Sequence, residues 1–170
     1  MRFLDVHRTK DGRHIEMLRL RPEHQPGSEK GFDSYKVVAV LEGAHVGALT
    51  FTWIPDFDAR YPDAEIFKKG FGRLFASEQG RASARAFHST PYVAAVCVDF
   101  VHHREHIGLA LYREAARWLA DRWGLPLRSG DPNHASQALW QKLEKLGEPI
   151  VMLDVMDGRD RCALDYVRAS

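Results

Sequence analysis

The chain lacks a charge imbalance. Lys and Arg number 24 against 23 acids, a net charge of +1, which weakens any case for non-specific binding to nucleic acid or to an acidic membrane surface. Only a local patch such as Arg81 and Arg85 with their neighbouring serines is left to contact phosphates. Cysteine is scarce: Cys97 and Cys162 both sit inside apolar segments and read as small buried hydrophobes in a reducing compartment, not as a disulfide. No uncharged apolar run approaches the roughly 18 residues needed to span a bilayer. Met1-Arg2-Phe3-Leu4-Asp5 reaches an acid almost at once, unlike the apolar stretch of a signal peptide. A soluble, cytoplasmic chain is the expectation. Also absent are His-Glu-x-x-His, a Cys pair at ligand spacing and Gly-x-Ser-x-Gly, which counts against familiar helical metal hydrolases and serine hydrolases. His102, His103 and His106 with Glu105 come nearest to a metal set, but they straddle a strand-to-helix turn. No metal is expected.

What is present is a globular composition. With 45% hydrophobic and 28% charged residues over 170 positions, residues 1–170 make one domain that needs neither disulfide nor metal to bury a core. Met1–His7 and His14–Leu20 flank Lys10-Asp11-Gly12-Arg13, a hairpin signal, and Pro22–Gly31 reads as a polar loop. Tyr35–Leu41 and Val46–Trp53 form a second hairpin about Glu42-Gly43. A variable insert spans about 55–90. Within it, Asp63 to about Arg85 has helical spacing interrupted by Gly70, Gly72 and Gly80, each costing a helix about 1 kcal/mol relative to alanine.

Tyr92–Val101, with only Asp99 polar, reads as a strand buried on both faces. Ile107, Ala110, Leu111, Ala115, Trp118 and Leu119 then recur at helical spacing, with Arg113, Glu114, Arg117 and Asp121 on the other face, and Gly124 ends the helix. Leu125–Ser129 is a short strand. Asp131-Pro132 opens a second helix with the core stripe Ala135, Leu139, Leu143 and Leu146. Ile150–Met156 and Arg161–Val167 close the chain as an antiparallel pair about Asp157-Gly158. The fold class is α/β (α+β), with a largely antiparallel sheet flanked by helices.

A strand running through a short turn into a helix makes an anion site, because first-turn N–H groups are unpaired and the macrodipole is positive there. Gly108 lets the backbone approach a ligand closely, and Arg104 suits phosphate. Val96-Cys97-Val98, then His103-Arg104-Glu105-His106-Ile107-Gly108 and Ala110-Leu111-Tyr112, resembles the acyl-CoA-binding segment of the Gcn5-related N-acetyltransferase (GNAT) family. Downstream, Asn133, Ser136, Leu139 and Trp140 resemble that family's Asn-x-x-Ala-x-x-Leu-Tyr helix. The resemblance covers roughly Tyr35 to Val167.

The resemblance implies a GNAT-like sheet in which Tyr92–Val98 and Leu125–Ser129 splay apart in parallel to form a cofactor slot. It implies acetyl-CoA, or another short acyl-CoA, as co-substrate. Val96, Cys97 and Val98 would pair with the pantetheine arm; Arg104, Glu105, His106, Ile107, Gly108 and Leu109 would cradle the pyrophosphate through backbone N–H groups; Asn133 would bond the pantetheine portion. Two residues depart from the pattern. His103 stands where Arg or Gln is usual, and His106 where the first glycine is usual, so that a Cβ there crowds the phosphates or demands a different turn.

The implied activity is N-acetyl transfer to an amine-bearing acceptor of unspecified class. The tyrosine that often supplies the proton for the leaving thiolate is Trp140 here, and an indole N–H cannot replace a phenol as an acid. Tyr92, which opens the central strand, and His88, just ahead in a loop, are the candidate catalytic groups. A neutral His88 accepts a proton from an ammonium near pH 7. Asp99, His134 and Ser136 are weaker candidates. Trp53, Phe57, Tyr61, Phe71 and Phe75 would suit an apolar or ring-bearing acceptor. The alternative is a non-catalytic GNAT-fold protein that binds acyl-CoA or a protein partner. A second copy of the chain is an admissible partner; a membrane or a nucleic acid is not expected.

Overall fold

The computed structural model describes residues 7–21, 30–73, 77–130, 134–153 and 161–169. Seven strands form one sheet: β1 (Ile15–Leu20), β2 (Asp33–Leu41), β3 (Ala44–Trp53), β4 (Tyr92–Val98), β5 (Leu127–Arg128), β6 (Ile150–Leu153) and β7 (Arg161–Leu164). Their order is β1-β2-β3-β4-β5-β7-β6. All neighbours pair antiparallel except β4 and β5, which run parallel with Tyr92 opposite Arg128 as their register pair. The mixed, mostly antiparallel α+β class expected from the sequence is therefore present.

The β2–β3 hairpin turns where expected. Glu42 at φ 52° and Gly43 at φ 82° are both left-handed, the pattern of a two-residue turn whose twist matches the strands. Thr9 to Arg13 turns back on itself through Thr9 N–H to Arg13 O at 2.9 Å and Gly12 N–H to Thr9 O at 3.0 Å. An antiparallel bridge joins Arg8 and His14. The rest of the first expected strand, Met1–Val6, lies outside the described residues, as does most of the Pro22–Gly31 loop.

Three helices fill the insert: α1 (Phe57–Arg60), α2 (Ala64–Phe71) and α3 (Glu78–His88). Asp63 and Ser77 cap α2 and α3 by accepting from Ile66 and Gly80 N–H, and Gly72 at φ 94° ends α2, so the expected break falls there. The insert's aromatic residues pack on one another. Ile54, Phe57, Tyr61, Phe67 and Ala84 form a small core with Phe32 and Phe71 against it. Trp53 instead belongs to the main core, stacked on Tyr35 at 5.6 Å. The expectation that these rings greet an acceptor is corrected, because their faces are used by each other; Phe75 lies outside the described residues.

The long helix α4 (Ile107–Trp123) lies against β1 to β4. Every position of its expected apolar stripe is buried, and Gly124 ends it at φ 62° with its N–H on Ala120 O. Gly47 admits the start of this helix: a Cβ there would meet Cys97 O at 3.0 Å and the side chains of Ile107 and Leu111 at 3.2 Å. Glu114 departs from expectation. It is 8% exposed and takes bonds from His7 Nε2 at 3.0 Å and Arg19 Nε at 2.7 Å. Burial alone would push its carboxyl up; the bonds from His7 and Arg19 outweigh that and hold it low.

The second helix, α5 (His134–Lys145), buries Trp140 and Leu143, while Leu146 is 53% exposed just beyond its end. The core stripe thus runs through Trp140 and stops short of Leu146. The last expected strand is shorter than Arg161–Val167, because Tyr166–Ala169 turns into a short helix, α6. No helix among the described residues is long and apolar enough to cross a membrane.

Candidate functional site

The central strand is not buried on both faces. Ala94 to Cys97 are exposed, Val96 at 37%. β4 ends at Val98, and Phe100–His102 form a single 3-10 turn in which Phe100 is 85% and Val101 78% exposed. The reason is topological. One edge of β4 pairs with β3 from Thr52↔Tyr92 to Gly47↔Val98, whereas the other meets β5 at Tyr92↔Arg128. Next to that pair a Cβ on Gly130 would collide with the Val93 carbonyl, so this seam closes only because residue 130 is glycine. Cys97, expected to be buried, is exposed; Cys162 is partly buried, and both are free thiols.

Beyond Val98 the chain makes the turn into α4. Asp99, exposed, donates its N–H to Val46 O at 2.8 Å and accepts from His102 N–H at 2.9 Å. His103 uses Nε2 on Val98 O at 2.9 Å. Arg104 and His106 both adopt left-handed φ, 68° and 66°, and His106 is the residue that opens α4. This is the conformation that glycine takes without penalty and that costs another residue about 1–2 kcal/mol. Burying Ile107 and Leu111 immediately after it, at about 2 kcal/mol each, outweighs that strain. His106 therefore keeps a glycine-like backbone.

Ala110 is the first amide of α4 to bond back along the chain, to His106 O at 3.1 Å, leaving Ile107, Gly108 and Leu109 as first-turn donors. A Cβ on Gly108 would lie 3.4 Å from Leu139 Cδ1, an ordinary contact distance, so α5 packs close to the first turn of α4 at this glycine.

Cations lie near this turn. Burial first, and then Lys142, Lys10 and Arg113, hold the His106 imidazole below its usual value, although Arg113 is itself paired with Glu148 Oε1 at 2.7 Å. Glu105, the acid in the turn, is engaged elsewhere, with Arg13 Nη2 at 3.0 Å and His102 Nδ1 at 2.9 Å. The helix N-terminus is thus left electropositive. Neither Lys10 nor Lys142 carried a sequence signal for this place.

At the other end of β4 the two expected catalytic residues meet. His88 is the last residue of α3, not a loop residue, and its Nδ1 lies 3.2 Å from the Tyr92 hydroxyl. Its ring is surrounded by Phe87 at 4.9 Å, Phe32 at 5.2 Å, Phe71 at 5.6 Å and Tyr92 at 5.7 Å. Burial first, then Arg128 and Lys30, push the imidazole down to about 4. His88 is therefore neutral at pH 7, as expected, but too weak a base to take a proton from an ammonium there.

Asn133 lies outside the described residues. His134 and Ser136 fall in the first turn of α5 with side chains outside the description. Trp140, 6% exposed, packs edge-on to Tyr112 at 5.3 Å. Arg81 donates to Tyr61 O at 2.7 Å, and Arg85 donates to both Asp58 oxygens at 2.8 and 3.0 Å at the surface, so each guanidinium of the local basic patch has a partner. Among the described residues no three His, Cys, Asp or Glu side chains are grouped to hold a metal. No family model, curated protein or solved structure matches the chain.

Proposed function

We propose that the chain is an acyl-CoA-dependent N-acyltransferase of GNAT type that moves acetyl from acetyl-CoA to an amine. The observation that carries the reading is the one-pair seam between parallel β4 and β5, with exposed strand on one side of it and the glycine-like turn into α4 beyond. In this reading the strands diverge past Tyr92, and the edge of β4 along Ala94–Cys97 offers N–H and C=O groups to the amides of a pantetheine arm, as a strand edge does to a peptide. From Tyr92 to Val98 the strand runs about 20 Å, comparable to the reach of such an arm. The residues present fit the anionic end as well: the amides of 104–109 with Lys10 and Lys142 near them suit a pyrophosphate.

When bound, the thioester supplies an activated carbonyl: the amine nitrogen bonds to it, the C–S bond breaks, and the proton lost by nitrogen balances the one gained by sulfur. Tyr92 holds a proton at its phenol oxygen, at the closed end of the slot. His88, neutral, orients that hydroxyl through Nδ1. The amine must arrive neutral, since His88 cannot deprotonate it. One observation favours the non-catalytic alternative: Trp140 is committed to the core against Tyr112 and supplies no acid. Turnover across a panel of amines separates the two readings.

Calorimetric titration with acetyl-CoA tests the site. His106→Asp suits the left-handed backbone, which aspartate tolerates, and sets an anion at the helix N-terminus. A folded His106→Asp chain should bind acetyl-CoA at least tenfold more weakly than the parent. Equal affinity in the two, or no binding by the parent, overturns the reading.

A further inference from the structure

We infer that Arg128 is the positioning residue of the His88–Tyr92 pair, its guanidinium gathering the end of α3 so that the imidazole meets the phenol. The inference rests on the proposed role of Tyr92. Arg128 is 5% exposed on β5, and Nη1 donates to Ala86 O at 2.9 Å, while Nη2 donates to Thr90 O at 2.7 Å and to Phe87 O. Those three carbonyls bracket His88 on both sides. Carbonyl groups at the end of a helix have no intrahelical partner, and a cation there is favoured twice over, as a donor and by the dipole.

The guanidinium also lies over the rings of Phe87 at 5.8 Å and Tyr92 at 6.0 Å. Arg128 is itself the register partner of Tyr92 across the seam. One side chain therefore links the strand that closes the slot, the helix end that carries His88 and the residue His88 touches. The far side of His88 is held by Ile54, whose N–H donates to His88 O at 2.6 Å.

The charged groups facing the imidazole are Arg128 from β5 and Lys30 ahead of β2, with the Tyr92 hydroxyl from β4; Arg85 on its own helix is occupied by Asp58. Burial is the larger cause of the ring's neutrality, and both cations add to it, so Arg128 sets the ring's place and contributes to its neutrality. A lysine in its place keeps the charge but offers no fork to span three carbonyls.

The test is an NMR titration of the His88 ring in the full chain from pH 3 to 9, with ring-to-ring contacts to Tyr92, for the parent, Arg128→Lys and Arg128→Gln. The parent should titrate near 4 and show the Tyr92 contact. Arg128→Gln should titrate higher than the parent, with burial still holding the ring below its free value, and should lose the contact. Arg128→Lys, the milder change should the glutamine variant unfold, should keep a low titration but lose the contact. A parent ring titrating near 6.5 overturns the inference, as do folded variants that match the parent in both readouts. Turnover is recorded alongside. A parent that acylates no amine removes the proposed reaction but leaves the NMR result to judge Arg128.

Discussion

At its C-terminal end β4 runs into a turn of backbone amides with Lys10 and Lys142 near it, whereas at its N-terminal end Tyr92 meets a half-buried, neutral His88 packed among three further aromatic rings. Charge and main chain make the first end; apolar packing and one hydrogen bond make the second. Under the proposed function, that difference amounts to a division of labour along one strand. An exposed cationic turn suits the anionic handle of a ligand, where solvent access costs nothing. A desolvated end suits chemistry, because a proton held there is not exchanged freely with water.

Breaking the chemical end should have the largest effect. Tyr92→Phe removes the hydroxyl and leaves the ring, so turnover should fall about a hundredfold, within the usual range for loss of a general acid, while acetyl-CoA affinity holds. Steady-state rates with calorimetry on the same preparation measure both, and a variant that turns over like the parent transfers the proton role elsewhere.

The same end should show itself in stability. His88 binds its proton near 4 in the folded chain but near 6.5 when unfolded. Between those values the unfolded state holds more protons, so the stability due to this group is full above 6.5 and is lost as the pH falls toward 4. After discounting for solvent screening of a partly exposed ring, the loss is on the order of 2 kcal/mol. Thermal melts of the parent and of His88→Phe from pH 4 to 7 should diverge accordingly; parallel curves contradict a depressed His88.

The smallest effect belongs to the cationic end. His106→Gly relieves the left-handed φ of 66°, so the melting temperature should rise by about 2–4 °C, the shift that ~1 kcal/mol gives a domain of this size. Destabilisation by glycine would mean that the imidazole's own contacts outweigh the strain.

Much of this scaffold was legible in the residues. Glu42-Gly43 named its own turn, and the 3.6-residue period of α4 with Gly124 after it required no tertiary information. Tyr92 and His88 were both singled out, but their contact was not, since a helix end and a strand start are brought together only by the turn at Ser89–Pro91 and by Arg128. The exposure of Ala94–Cys97 was illegible for a related reason: an apolar β-branched run is equally consistent with a covered and an uncovered strand, and the outcome depends on β5 meeting β4 at Tyr92 alone. Glu114 fell on the wrong face because its partners, His7 and Arg19, lie 107 and 95 residues away. The strained turn at His106 was half legible: the missing glycine was visible, the glycine-like φ was not.

The division of labour between the ends of β4 has one direct test, a crystal structure of the full chain grown with acetyl-CoA. The account predicts the pyrophosphate on the amides of 104–109, the pantetheine arm along Ala94–Cys97, and the thioester sulfur within hydrogen-bond reach, about 3 Å, of the Tyr92 hydroxyl. An ordered acetyl-CoA bound away from β4, or none at saturating concentration, would contradict it.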